Sequence, residues 1–163
     1  MAIEIKGNII YNKPYIAPQP VEYTCVNANW DGYKYGWPPG SLGEIGWQYN
    51  SGECFADPSV YGVAPPSLQM GGAGSYVITP IVENIQYISF WARSNWNARY
   101  LEVYGSEDGG TNWELIARLS NNMDAVVNNL DTSGSSYNRI KFLNVDSIAM
   151  QLDDITITCL GII

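Results

Sequence analysis

From Tyr87 to Leu119 the sequence reads YISFWARSNWNARYLEVYGSEDGGTNWELIARL, and apolar and polar residues alternate in it three times over. Ile88, Phe90 and Ala92 fall on one face, and Tyr87, Ser89, Trp91 and Arg93 on the other. Leu101 and Val103 then alternate with Tyr100, Glu102 and Tyr104, and Leu115, Ala117 and Leu119 share a face of the third run. A period of two marks half-buried strands, because successive side chains on a strand point to opposite sides. The link GSEDGGTNW carries Asp-Gly and Gly-Gly steps, which accept the positive φ of a tight hairpin turn. This stretch therefore predicts three antiparallel strands, and the rest of the chain must pack around them.

The flanking segments follow the same logic. Ala2 to Ile10 predicts a short edge strand. Tyr11 to Pro20 carries Pro14, Pro18 and Pro20, so it is expected to be extended, an arm unable to donate a full ladder of hydrogen bonds. Glu22 to Val26 predicts a strand. Asn27 to Pro66 is irregular, rich in Gly and Pro and interleaved with Trp and Tyr, with short strands expected near Ile45–Gln48 and Glu53–Ala56. A long aperiodic segment in a compact domain is often functional. Ser67–Met70 and Ser75–Thr79 read as strands joined by GGAG, followed by Ala125–Asn129 and Asn138–Leu143.

The last strand, Ile148 to Thr158, changes phase. Ile148, Met150 and Leu152 are apolar at even positions, and Ile155 and Ile157 at odd ones. A one-residue slip swaps the faces of a strand, so a β-bulge is expected at Asp153-Asp154. No segment longer than about ten residues keeps the 3.6-residue period of a helix. The predicted fold is all-β, an antiparallel two-sheet β-sandwich of jelly-roll type. The division is an arm with an edge strand at 1–20 and one sandwich domain at 21–163.

Composition narrows the function classes. With 46% hydrophobic and 15% charged residues the chain is not of the disordered type. The net charge of −8 argues against nucleic acid and anionic membranes as partners, since both call for clustered Lys and Arg. There is no His. That removes the usual general base, the usual zinc ligand and the Ser-His and Cys-His nucleophile systems. The three cysteines, Cys25, Cys54 and Cys159, have no metal-ligand spacing. They fit free thiols in a reducing compartment, or one disulfide and a leftover thiol. Residues 1–10 show no basic region followed by an apolar run, so synthesis without a signal peptide is expected. No window reaches the roughly 18 apolar residues of a membrane span.

Four pieces then occur in order: PSLQMGGAGSYVITPIVENIQYISFWARSN, LEVYGSEDGGTNWELIARL, NRIKFLN and MQLDDITIT. From Pro66 to Thr158 the chain resembles the MAM-like jelly-roll modules of bacterial surface proteins, including the cleaved-adhesin and choice-of-anchor types. The resemblance implies a jelly-roll sandwich with a non-catalytic role in adhesion, carbohydrate binding or assembly. It also implies a structural Ca²⁺ held by a carboxylate near the first strand and another near the last, here Glu22 with Asp153 or Asp154. Asp31 adds a further oxygen donor, as Ca²⁺ takes six to eight.

Aromatic side chains supply the second set of candidates. Sugars stack their C–H faces on Trp and Tyr while polar groups at the rim take the hydroxyls. Trp96, with Asn95 and Asn97, sits in a predicted turn; Trp30, Tyr33, Trp37, Trp47 and Tyr49 lie in the irregular segment. The competing reading is that these rings cover or plug the sandwich. Trp91 and Trp113, in or beside strands, fit core or sheet-face packing. Carboxylate pairs such as Glu102 with Glu107, or Asp153 with Asp154, are the only material for a glycosidase.

Two expectations follow. The first is a structural and interaction module on a virion or other assembly, docking protein partners through residues 1–20. The second is a carbohydrate-binding module or lectin, extracellular if the chain is part of a secreted protein.

Overall fold

The computed structural model describes residues 3–5, 8–10, 17–28, 30, 46–50, 54–57, 59–121, 124 and 126–162. The elements are β1 (Ile3–Ile5), β2 (Asn8–Ile10), β3 (Pro20–Ala28), β4 (Gln48–Tyr49), β5 (Cys54–Asp57), β6 (Ser67–Met70) and β7 (Tyr76–Ile78). They continue as β8 (Ile85–Ser94), β9 (Arg99–Ser106), β10 (Glu114–Asn121), β11 (Val126–Asp131), β12 (Arg139–Asn144) and β13 (Met150–Ile162). The described residues contain no helix.

Two antiparallel sheets make the sandwich. One is ordered β10-β9-β12-β7-β4; the other is ordered β11-β8-β13-β6-β5, with β3 also paired to β13. β6 and β7 lie in opposite sheets, so the GGAG link carries the chain across the sandwich. The inner faces are those that alternation assigns. Ile88, Phe90 and Ala92 from β8 and Leu101 and Val103 from β9 are all buried, as are Ile140 and Phe142 from β12. Phe90 meets Phe142 across the layers, ring centroids 4.9 Å apart at 71°. Burying each of the Ile, Phe, Leu and Val side chains among them is worth about 1.5–3 kcal/mol.

Two sequence expectations change, and one pair of alternatives is decided. Ile3–Ile5 and Asn8–Ile10 form two short strands paired with each other, not one edge strand. Leu115 is exposed, because the β9–β10 register shifts between Leu115 and Ala117. That bulge sets Leu115 opposite Tyr104 on the outer face, while Ile116 and Leu119 pack toward the core. The cysteines are not all free: Cys25 and Cys159 form a disulfide between β3 and β13, with Cα atoms 5.7 Å apart. Cys25 is the extra residue where the β3–β13 register shifts, so it faces Cys159 from beside Tyr23.

The phase change in β13 is a bulge. Its register with β8 breaks between Asp153 and Thr156, and Asp154 has φ of 48°. Met150, Leu152, Ile155, Ile157 and Cys159 all reach the interior as a result. The bulge falls where the neighbour of β13 changes from β6 to β3.

Candidate functional site

Because Leu101 and Val103 face inward, Tyr100, Glu102 and Tyr104 stand on the outer side of the five-stranded sheet. Residues directly opposite in an antiparallel pair share a face. Arg118 of β10 and Leu143 of β12 therefore flank Glu102, and Lys141 of β12 stands beside Tyr104. The Arg118 guanidinium lies 4.6 Å from the Tyr100 ring centroid and 3.7 Å from Glu102 Oε1. The Tyr104 hydroxyl donates to Glu102 Oε2. That bond to a carboxylate is the main reason the Tyr104 pKa lies above its ordinary value.

Lys141 sits between two rings. Its Nζ is 4.6 Å from the Tyr104 centroid and 4.5 Å from that of Trp113. Loss of water around the ammonium lowers its pKa. The site is thus a series of rings on a sheet face, with charged groups set between them.

The loop before β10 places Trp113. Asp108 Oδ1 accepts from the backbone N–H groups of Thr111 and Asn112, both at 2.9 Å, and from Ser106 Oγ at 2.8 Å. Its Oδ2 accepts from Asn112 Nδ2 at 2.7 Å. These bonds, led by the one from the Asn112 backbone, hold the Asp108 carboxyl far below the usual carboxylate range. Arg139, buried on the outer face, donates from Nη1 to Gly109 O and from Nε to Thr79 O. It pins the loop down onto β12. Gly110 has φ of 101°, and a Cβ there would lie 3.0 Å from the Trp113 ring. Beneath the hairpin is a cavity of about 330 Å³ whose lining includes Glu107, Asp108, Asn112, Trp113, Glu114 and Tyr137. Tyr137 lies flat over Gly105, where a Cβ would meet the ring at 2.6 Å, and its hydroxyl donates to Glu114.

The residues singled out from sequence do not gather here. Trp30 is 2% exposed and belongs to the core, its Nε1 donating to the Tyr49 hydroxyl at 3.3 Å. It has no open face for a sugar, and the plug reading replaces the glycan one. Trp47 meets Trp30 edge-on at 5.6 Å and stacks with Tyr49 at 6.2 Å, both packed against the core. Tyr33, Trp37 and Asp31 lie outside the described residues. Trp96 is 61% exposed in the turn leading into β9. Its backbone N–H donates to Ser94 Oγ, and Asn95 and Asn97 are exposed beside it.

The Ca²⁺ set comes apart. Glu22 is opposite Leu160, six residues beyond Asp154 along β13, or about 20 Å at the rise of a strand. Asp153 is fully buried; its Oδ2 accepts from the Gly62 N–H at 2.8 Å, while Asp154 Oδ2 accepts from the Val63 N–H at 2.9 Å. The pair closes the 62–63 loop over the bulge. Among the described residues no group of three or more His, Cys, Asp or Glu is placed to hold a metal ion.

Sequence reasoning did not gather Tyr100, Glu102, Tyr104, Arg118 and Lys141 into one site, and named Glu102 only as a carboxylate to pair with Glu107. The signal was present: alternation puts the first three opposite Leu101 and Val103, and only cross-strand register was needed to add the cations.

The chain matches no known family model, so the MAM-like assignment finds no support there. No curated protein is similar to it. Solved structures do share its fold. The K3 cleaved adhesin domain of Lys-gingipain from Porphyromonas gingivalis W83 matches at a TM-score of 0.63 and 14% identity, over 85% of this chain and 99% of that one. The K2 cleaved adhesin domain of Lys-gingipain matches at 0.64 and 13%, over 84% and 99%. A family 29 carbohydrate-binding module matches at 0.55 and 11%, over 86% and 89%. At such identities the likeness establishes an antiparallel β-sandwich of the kind seen in adhesin and carbohydrate-binding modules.

Proposed function

We propose that the chain is a non-catalytic carbohydrate-binding module of adhesive type, and that the outer face of the five-stranded sheet is its binding surface. One observation carries this: Tyr104 and Trp113 stand on that face with the Lys141 ammonium between them, and Glu102 beside them bonded to the Tyr104 hydroxyl. Rings offer the apolar surface a pyranose needs, and the ammonium and carboxylate address hydroxyls at its rim. Trp96, exposed in the turn before β9, is a further ring open to solvent.

The structural neighbours support the reading without assigning it. They include adhesin domains and a family 29 module, one variant of which was studied in complex with mannohexaose. A glycosidase reading draws no support from Asp153 and Asp154, which accept from neighbouring N–H groups of one loop instead of facing across a substrate. The Cys25–Cys159 disulfide favours an oxidising compartment over a reducing one, and thus an extracellular setting. Display on a virion through residues 1–20 has no observation in its favour.

A glycan array followed by calorimetry on the best ligand tests the proposal. Trp113→Ala should weaken binding at least about tenfold, the equivalent of one aromatic contact, with the melting temperature little changed. An array with no bound glycan removes the reading.

A further inference from the structure

We infer that Lys141 receives a carboxylate, so that the ligand of this face is a largely neutral polysaccharide carrying scattered uronic acid residues. The inference rests on the glycan reading above and deepens it.

The chain has eight Lys and Arg against sixteen Asp and Glu. In so acidic a protein a cation is expected to find a carboxylate. Arg99 pairs with Asp146, and Arg118 with Glu102. Lys141 has no ion pair among the described residues, and its only charge contacts are the two ring faces. The groups around it do not change this. Glu102 is committed to Arg118 and to the Tyr104 hydroxyl. Arg139, two residues earlier on the same strand, spends its guanidinium on backbone carbonyls and is itself a cation. Tyr104 is kept neutral by its bond to Glu102. Among the described residues the face therefore holds two cations with no paired carboxylate, and of these Arg139 has its donors taken by backbone carbonyls while Lys141 does not.

Rings replace part of the hydration of an ammonium but take none of its three N–H donors. A half-buried, uncompensated cation gains most from an anion that brings its own acceptors. The lowered Lys141 pKa agrees with that desolvation. A carboxylate on a sugar delivers acceptors at the ammonium while the ring carrying it lies against Trp113 or Tyr104. The overall charge of −8 fixes the form of the ligand. A dense polyanion is repelled by the rest of the surface, whereas isolated carboxylates on a neutral backbone are not.

The test uses the full chain and two forms of one polymer, glucuronoxylan and the same glucuronoxylan after chemical reduction of its carboxyl groups. Wild type should bind the native polymer about tenfold or more tightly than the reduced one, the effect of one charge-assisted contact. Lys141→Met should erase the difference, and Lys141→Arg should keep most of it, with melting curves showing both variants folded. Equal binding to the two forms overturns the inference and leaves the glycan reading standing, as does preference for a neutral ligand such as mannohexaose. Failure to bind either polymer or any glycan on the array overturns both.

Discussion

On the outer side of the five-stranded sheet, Tyr100, Tyr104 and Trp113 stand among Arg118, Glu102 and Lys141. On the outer side of the six-stranded sheet, Asn27, Thr156, Ser89 and Asn129 form one row across four strands. Thr24, Thr158, Tyr87 and Asp131 form the next. Both faces are set by the same alternation, and both are the solvent side of the same core. They differ in chemistry along these rows: one interleaves rings with charge of both signs, and the other sets small hydroxyls and amides around one ring, Tyr87, and one acid, Asp131. Alternation decides which residues face outward, and only the identity of those residues decides what a face can hold.

The comparison presumes one interior behind both faces, and that is where the largest effects lie. Phe90→Ala and Phe142→Ala should each cost about 3–5 kcal/mol in denaturant unfolding, because their rings contact each other from opposite sheets. A cost below about 1 kcal/mol at either position would mean that the sheets do not share a core, and the contrast between their faces would lose its basis. Next comes the disulfide, which closes a sequence separation of 134 residues at the β3 edge of the six-stranded sheet. Cys25→Ser should lower stability by about 2–5 kcal/mol while the glycan face on the other sheet keeps its affinity. Thiol titration of the unreduced, unfolded protein should find one reactive cysteine of three; finding three would overturn the pairing.

The 62–63 loop gives a smaller effect confined to the same sheet. A Cβ on Gly62 would lie 2.0 Å from Asp154 Oδ2, so Gly62→Ala must shift the loop and break its N–H bonds to the two aspartates. The expected loss is about 1–3 kcal/mol, the cost of leaving buried acceptors short of a partner. An unchanged melting temperature would show that the loop does not hold the bulge.

Much of this architecture was legible in the chain. Alternation placed Ile88, Phe90, Leu101 and Val103 inside, and the even-to-odd slip located the bulge at Asp153-Asp154. What could not be read was pairing between distant strands. Leu115 was assigned inward because a bulge in β10 leaves no mark in so short a run. The Cys25–Cys159 bond depends on register between strands more than a hundred residues apart. The same limit hid the site. Tyr100, Glu102 and Tyr104 were visible as one outward set, but Arg118 and Lys141 join them only through the strands on either side. Trp30 misled for the opposite reason: a Trp among Gly and Pro looks exposed until tertiary packing closes over it.

The acid limb separates the faces further. Asp108 sits only on the five-stranded side, and its carboxyl titrates well below the ordinary carboxylate range. A depressed carboxyl stabilises the fold above its unfolded-state pKa, and that contribution fades as pH falls toward the folded-state value. Wild type should therefore lose stability below about pH 4 more steeply than Asp108→Asn. The loss should appear first as exchange of the Thr111 and Asn112 amides that Asp108 holds. Parallel acid curves for the two proteins would mean that the loop does not depend on the charge.

The smallest expected effect bears most directly on the two faces. Tyr87 is 42% exposed and heads a groove of about 340 Å³ with Ser89, Asn129, Asp131, Thr156 and Thr158. By exposure alone it is a better stacking surface than Tyr104 or Trp113, which are half-buried. If exposure governed binding, Tyr87→Ala would weaken glycan affinity and Trp113→Ala would not. If the pairing of a ring with a charged donor governs it, the order reverses, because the groove at Tyr87 is lined by hydroxyls, an amide and a carboxylate already bonded to Ser133, with no ammonium or guanidinium among them. Tyr87→Ala should leave affinity within about twofold of wild type, inside the roughly 0.5 kcal/mol scatter of a neutral surface change. Calorimetry on the two variants with the same ligand decides between them. A larger loss from Tyr87→Ala than from Trp113→Ala would move the binding surface to the other sheet.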